Sequence, residues 1–152
     1  MAKVERILVA VDFSAVSANA LRHAADLAQQ LGAALEVFNA LKPTDVETPV
    51  NASAEHVNEL NQAALKKRKA ELARFVEQNV SGFDDMKEFV RLGMPTELVN
   101  DAVKQGNADL IVIGTHGRTG LRHMLVGSVA ESVLRKADVP VICIRAADQP
   151  EP

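Results

Sequence analysis

The sequence predicts an α/β domain built on one doubly wound, five-stranded parallel sheet. Five short apolar runs rich in β-branched residues alternate strictly with four segments of helical periodicity. Strict alternation calls for parallel strands with helices on both faces, and right-handed crossovers then favour a doubly wound sheet. The runs also differ in character. The first and fourth are apolar on both sides of the pleat, as central strands are, and the third is charged, as an edge strand is.

The expected strands are Ile7 to Val11, Ala34 to Phe38, Met86 to Arg91, Leu110 to Ile113 and Val139 to Ile144. The third carries Lys87, Glu88 and Arg91. The first helix follows Ser14 and Ser17, either of which can cap it, and buries Leu21, Ala24, Ala25, Ala28 and Leu31. Gly32 then stops it. A long helix runs from about Ala54 to Asn79, with Val57, Leu60, Ala64, Leu72, Phe75 and Val76 on one side. Its run Lys66-Lys67-Arg68-Lys69 reads as a solvated face rather than a nucleic-acid patch. The third helix starts at Pro95 or Thr96, buries Leu98, Val99, Ala102 and Val103, and ends at Gly106. The fourth starts near Ser128 and buries Val129, Val133, Leu134 and Ala137. Lys42 to Asn51 reads as a flexible surface loop, and the domain spans residues 1–146 with a tail over 147–152.

Composition narrows the function. The chain has 152 residues, enough for one domain and a core that needs no staple. Its 17 basic residues against 20 acidic ones argue against broad nucleic-acid binding. Cys143, the one cysteine, lies in the apolar run Val141 to Ile144 and is expected to be a core residue rather than a reactive thiol. No stretch approaches the ~20 apolar residues of a membrane-spanning helix, and the first apolar run is too short for a secretion signal. A cytoplasmic location is the expectation.

The chemistry concentrates after the fourth strand, in Gly114-Thr115-His116-Gly117-Arg118-Thr119-Gly120-Leu121-Arg122-His123-Met124-Leu125-Val126-Gly127-Ser128. Four of the chain's 8 glycines fall in this one strand-to-helix junction. Glycines let backbone N–H groups approach a ligand with no Cβ in the way. The helix that follows offers free amides and the positive end of its dipole, which suits an anion. Neither G-x-x-x-x-G-K-[ST] nor a G-x-G-x-x-G after the first strand is present. The first strand ends at Asp12-Phe13-Ser14, and a carboxylate there suits a ribose hydroxyl or a divalent ion better than bare phosphate.

Gly114-x-x-Gly117, nine residues, then Gly127-Ser128 resembles the G-2x-G-9x-G-[S/T] signature of the ATP-binding branch of the universal stress protein family. Ile7-Leu8-Val9-Ala10-Val11-Asp12-Phe13-Ser14 is similar to that family's first strand and loop, and Val129 to Ile144 to its last helix and strand. The resemblance implies the adenine-nucleotide α-hydrolase-like fold, with strand order 3-2-1-4-5. It implies ATP as ligand, with Mg or Mn carried on the phosphates and Asp12 as a candidate ligand of that metal. Ala10, Val11 and Asp12, together with the backbone of Ala40, would meet the adenosine. Ile113 and Gly114 would line the ribose side. His116, Gly117, Arg118, Gly127, Ser128, Val129 and Ala130 would form the phosphate side. The chain departs from the family at Ala10, where proline is frequent, and at Ala130, where a hydroxyl residue is frequent. The resemblance also implies a homodimer, joined through Val139 to Ile144, in which nucleotide switches what an unidentified protein partner sees.

Several of these residues admit a second reading. Ser128-Val129-Ala130-Glu131 is a capping box, so Ser128 either caps the last helix or holds phosphate. Asp12 either caps the first helix or meets the ligand. His116 shapes the loop, and His23 and His56 are surface positions. Neither His116 nor His123 belongs to a compact metal-ligand set. Arg118 and Arg122 either neutralise phosphate or solvate the loop. No Ser-His-Asp or Cys-His set can be assembled, so catalysis is expected to reach slow ATP hydrolysis at most. The alternatives to a switch are a slow Mg-dependent ATPase or phosphotransferase and a dimeric interaction module without nucleotide.

Overall fold

Apolar β-branched runs became strands, and amphipathic segments between them became helices. The computed structural model describes residues 2–105, 108–115 and 126–146. Its elements are β1 (Arg6–Ala10), α1 (Ala15–Leu31), β2 (Ala34–Leu41), a 3-10 turn (Pro43–Asp45), α2 (Ala54–Asn79), β3 (Met86–Leu92), α3 (Pro95–Lys104), β4 (Leu110–Gly114), α4 (Ser128–Lys136) and β5 (Val141–Ile144). All strand pairs are parallel, in the order β3-β2-β1-β4-β5. The two runs read as central are central, and the charged run is at an edge. The expected tail, 147–152, lies outside the described residues.

Alternation along the strands divides the core into two layers. Ile7, Val9, Leu35, Val37 and Val112 face α1 and α2. Leu8, Phe38, Ile111 and Ile113 face α3 and α4. Ile7, Leu8 and Val9 are each 0% exposed, so β1 is sealed on both faces. Burying a side chain of this size contributes about 1.5–3 kcal/mol.

Local chemistry sets the helix ends. Ser14 caps α1, its Oγ accepting the Ser17 N–H at 3.1 Å. Gly32 closes that helix at φ 66°, a left-handed conformation that glycine adopts without strain. Ser53 caps α2 by accepting the His56 N–H at 3.1 Å. Pro95 fits the first turn of α3, where its missing N–H costs nothing. At the far end of the sheet, the Asp109 carboxylate accepts the N–H groups of Glu5 and Arg6, both at 2.9 Å. This fastens the entrance of β1 to the entrance of β4.

Some expectations are corrected. Leu31 and Leu134 are not buried but 45% and 48% exposed. Leu31 is the last residue of α1, and Leu134 is rotated about 100° past Val133, the residue that meets the core. Leu98 is only half-buried, and α3 ends at Lys104, with Gly106 outside the described residues. β5 starts at Val141 because Pro140 has no N–H for the ladder, although its C=O accepts the Ile111 N–H at 3.0 Å. Part of the Lys42 to Asn51 loop is an ordered turn: Asp45 accepts the Lys42 N–H at 3.3 Å. His23 and His56 are exposed helical residues, as expected.

Candidate functional site

β1 and β4 are neighbours, with Ala10 opposite Ile113 at their carboxyl ends. From there the chain leaves in opposite directions. α1 packs on one face of the sheet and α4 on the other. Two diverging connections open a crevice beyond the strand ends, the usual ligand position in an open α/β sheet. The residues expected on the adenosine and ribose sides, and the head of α4, all come to this edge.

On the β1 side the turn is tightly tied. The Val11 N–H donates to the Phe38 C=O at 2.8 Å, extending the ladder one residue beyond β1. Asp12 donates its N–H to Ser17 Oγ at 3.3 Å, and its Oδ1 accepts the Ser14 N–H at 3.0 Å. Asp12 therefore shapes the turn, while Ser14 performs the capping that had been one reading of Asp12. Between them Phe13 sits at φ 67°, a left-handed conformation rare for an aromatic residue. Its ring lies edge-on to Phe75 at 5.2 Å. Sequence gave no warning of this conformation.

On the β4 side, Ile113 is buried and Gly114 ends the strand. The Thr115 N–H donates to the Ile144 C=O at 2.9 Å, and the Gly127 N–H donates to the Thr115 C=O. These bonds hold the start of α4 beside the end of β4. His116, Gly117 and Arg118 lie outside the described residues.

The start of α4 overturns the capping-box reading. Gly127, not Ser128, is the N-cap, with φ −68° and ψ 162°. Ser128 is the first helical residue, one position too late to be the N-cap. Glu131 is correspondingly displaced and pairs with Arg135 at 2.8 Å. The first intrahelical bond runs from the Glu131 N–H to the Gly127 C=O, at 2.9 Å. The amides of Ser128, Val129 and Ala130 thus have no acceptor within the helix. Ser128 is exposed and Val129 half-buried, whereas Ala130 is 1% exposed and packs its methyl into the core.

Two residues join the site that sequence reasoning missed. Asn39 is 3% exposed and donates Nδ2–H to the Val11 C=O at 2.8 Å. Its Oδ1 accepts from Arg68 Nη1 at 3.1 Å, and the same nitrogen lies 3.5 Å from the Ala40 C=O. The signal for Asn39 was an amide within the run Val37-Phe38-Asn39-Ala40-Leu41. Nothing in the basic run around Arg68 distinguishes it from its lysine neighbours.

Two groups have shifted acidity. Burial pushes the Cys143 thiol up, in keeping with an unreactive packing residue, although the side chain is half-buried rather than deep. Burial also pushes Glu88 up, on edge strand β3. Among the described residues no group of three or more His, Cys, Asp and Glu could hold a metal ion, and no helix is long and apolar enough to cross a membrane.

Comparison with known proteins agrees with this architecture. The profile of the universal stress protein family matches residues 3–145. Universal stress protein MJ0531 of Methanocaldococcus jannaschii is 35% identical over 146 residues, covering 93% of this chain and 82% of that protein. The solved structure of MJ0577 superposes with a TM-score of 0.82 at 22% identity, covering 97% of this chain and all of the other, and so shares the fold. A universal stress protein from Archaeoglobus fulgidus, solved in complex with dAMP, is 27% identical with a TM-score of 0.53, covering 94% of this chain and 99% of that one. With sheet order and family profile in agreement, the chain belongs to the universal stress protein family.

Proposed function

We propose that this protein binds ATP at the β1/β4 crevice and acts as a nucleotide-dependent switch in the stress response. One observation carries the reading: three successive amides, those of Ser128, Val129 and Ala130, head a helix where the chain direction switches. Amides of that kind, with the positive end of the helix dipole, suit polyphosphate. The dAMP complex of the Archaeoglobus relative supports a nucleotide in this family.

The other residues fit the same ligand by their chemistry. The Ala40 C=O accepts a base amino group. Asp12, with Ala10 and Val11 before it, suits a ribose hydroxyl. Ile113 and Gly114 form the wall between base and phosphate. His116, Gly117, Arg118 and Gly127 complete the phosphate side. A divalent ion, Mg or Mn, offsets phosphate charge when bound, and Asp12 is the carboxylate to hold it.

A switch needs different nucleotide affinity in two states of the Arg118 to Val126 loop, and the Gly127 N–H, donating to the Thr115 C=O, holds the residues on either side of that loop together. The exposed edge of β5, where Ile142 is 38% exposed, is the proposed homodimer contact.

The chain has no Trp and no Tyr, so bound nucleotide dominates its ultraviolet spectrum. The expected result is an adenine band near ~260 nm in purified protein, or saturable ATP binding by calorimetry. In Gly127→Val the branched side chain projects where phosphate would lie, while φ −68° and ψ 162° are open to valine. ATP binding should disappear with the circular dichroism spectrum retained. Unchanged affinity in that variant sinks the placement of the phosphates.

A further inference from the structure

Arg68 breaks the pattern of the basic run that contains it. Lys66, Lys67 and Lys69 are exposed, whereas the Arg68 side chain is 17% exposed and turns toward the sheet. Its Nη1 donates to Asn39 Oδ1 at 3.1 Å and reaches the Ala40 C=O at 3.5 Å. On its outer side Nη2 lies 3.6 Å from Asp45 and Nε 3.3 Å from Glu71. Its guanidinium stands over the Phe13 ring, 5.7 Å from the centroid.

One planar cation thus fastens three segments that are separate in sequence. Through the Asn39 amide it reaches the Val11 C=O, the peptide carbonyl that leads into Asp12. Through Nη1 it holds the end of β2. Through Asp45 it holds the 3-10 turn. A lysine offers one point charge and cannot make this fork. Phe13 at φ 67° is strained, and such strain persists only where neighbours fix the residue. Phe75 at its edge and Arg68 over its face are those neighbours.

We propose that Arg68 is a positioning residue that sets the base preference of the nucleotide site by fixing Ala40, Asn39 and the Asp12 turn relative to one another. This rests on the nucleotide reading above. Base recognition depends on where the Ala40 C=O stands relative to Asp12. Phosphate recognition depends on the head of α4. The Arg68 contacts described run to Phe13, β2, the 3-10 turn and α2 itself. Arg68 therefore acts directly on the base half and reaches the phosphate half only through the Asp12 turn, which ATP and UTP meet alike.

The test is calorimetric titration of ATP and of UTP into the wild type, Arg68→Met and Arg68→Lys. UTP keeps the triphosphate and changes the base. The wild type is expected to prefer ATP. Arg68→Met should cut that preference about tenfold, the scale of one lost charged hydrogen bond, with UTP affinity within about twofold. Arg68→Lys should restore little of it. A merely structural arginine would lower Tm and leave the ATP/UTP ratio unchanged. A ratio in Arg68→Met within about twofold of the wild type, or a wild type indifferent to the base, overturns the proposal while the nucleotide reading stands. A wild type that binds neither nucleotide overturns both. If Arg68→Met melts below the assay temperature, Asp45→Ala releases the outer anchor alone. It should cut the ratio about threefold, and an unchanged ratio there overturns the proposal equally.

Discussion

Gly114 has no room for a side chain, because a Cβ there would lie 2.8 Å from Val16 Cγ1. The first turn of α1 therefore presses directly on the end of β4, and the floor of the crevice is set by backbone. Gly114→Ala must displace Val16 and should cost about 1–3 kcal/mol, the usual penalty of overpacking. In Gly114→Ala with Val16→Ala the clash is gone, so the two losses should fail to add. A double-mutant cycle from urea melts measures the coupling, and strict additivity would show that the contact is not the cause.

Ser128 separates a binding role from a capping role. Because Gly127 is the N-cap, Ser128→Ala should change stability by less than about 0.5 kcal/mol. Its ATP affinity should nonetheless fall about three- to tenfold, for a lost hydroxyl contact to phosphate. Thermal melts and calorimetry on the same sample decide the matter. A drop in Tm of several degrees would return Ser128 to the capping role.

Ser14 is the converse case. Its Oγ accepts the Ser17 N–H at 3.1 Å, so Ser14→Ala should cost about 1 kcal/mol, or a few degrees in Tm. Ser14→Asp keeps an acceptor at the helix start and should recover most of the loss. Equal melting of the alanine and aspartate variants would contradict the cap.

Cys143 supplies a pH test. Burial raises its thiol pKa in the folded state, so the folded chain holds its proton to higher pH than the unfolded chain. The associated stability is complete below the unfolded thiol pKa and is lost as pH rises through the folded value. Iodoacetamide labelling followed by mass spectrometry should show a rate profile displaced to higher pH than in urea, across about pH 7 to 10. Coincident profiles would mean an exposed, ordinary thiol.

Most of the fold was legible because burial repeats with the period of each element. Val9 and Val112 announce central strands by lying in runs apolar on both faces, and Ala54 to Asn79 announces one long helix by its spacing. Of the candidate site, the sequence indicated the end of β1 and the glycines that flank the β4-to-α4 connection, Gly114 and Gly127. The site was not legible where tertiary contact reassigns a common residue. Arg68 looks like its lysine neighbours until β2 places Asn39 on the face that α2 covers. Ser128 looks like a cap because glycine at 127 serves nearly as well, and a one-residue shift of helix start is invisible in the sequence. The positive φ of Phe13 follows from a packed turn, not from the preference of phenylalanine.

The Asp109 clamp has a bearing on how the chain is made. Its partners Glu5 and Arg6 lie 104 and 103 residues earlier, so the middle strand of the sheet acquires its second neighbour only late in synthesis. Before β4 is made, β1 has β2 on one side and no strand on the other, so its apolar edge is open. Truncation between Leu92 and Asp109 leaves three strands with that edge open, and products ending there are expected to need chaperoning or degradation.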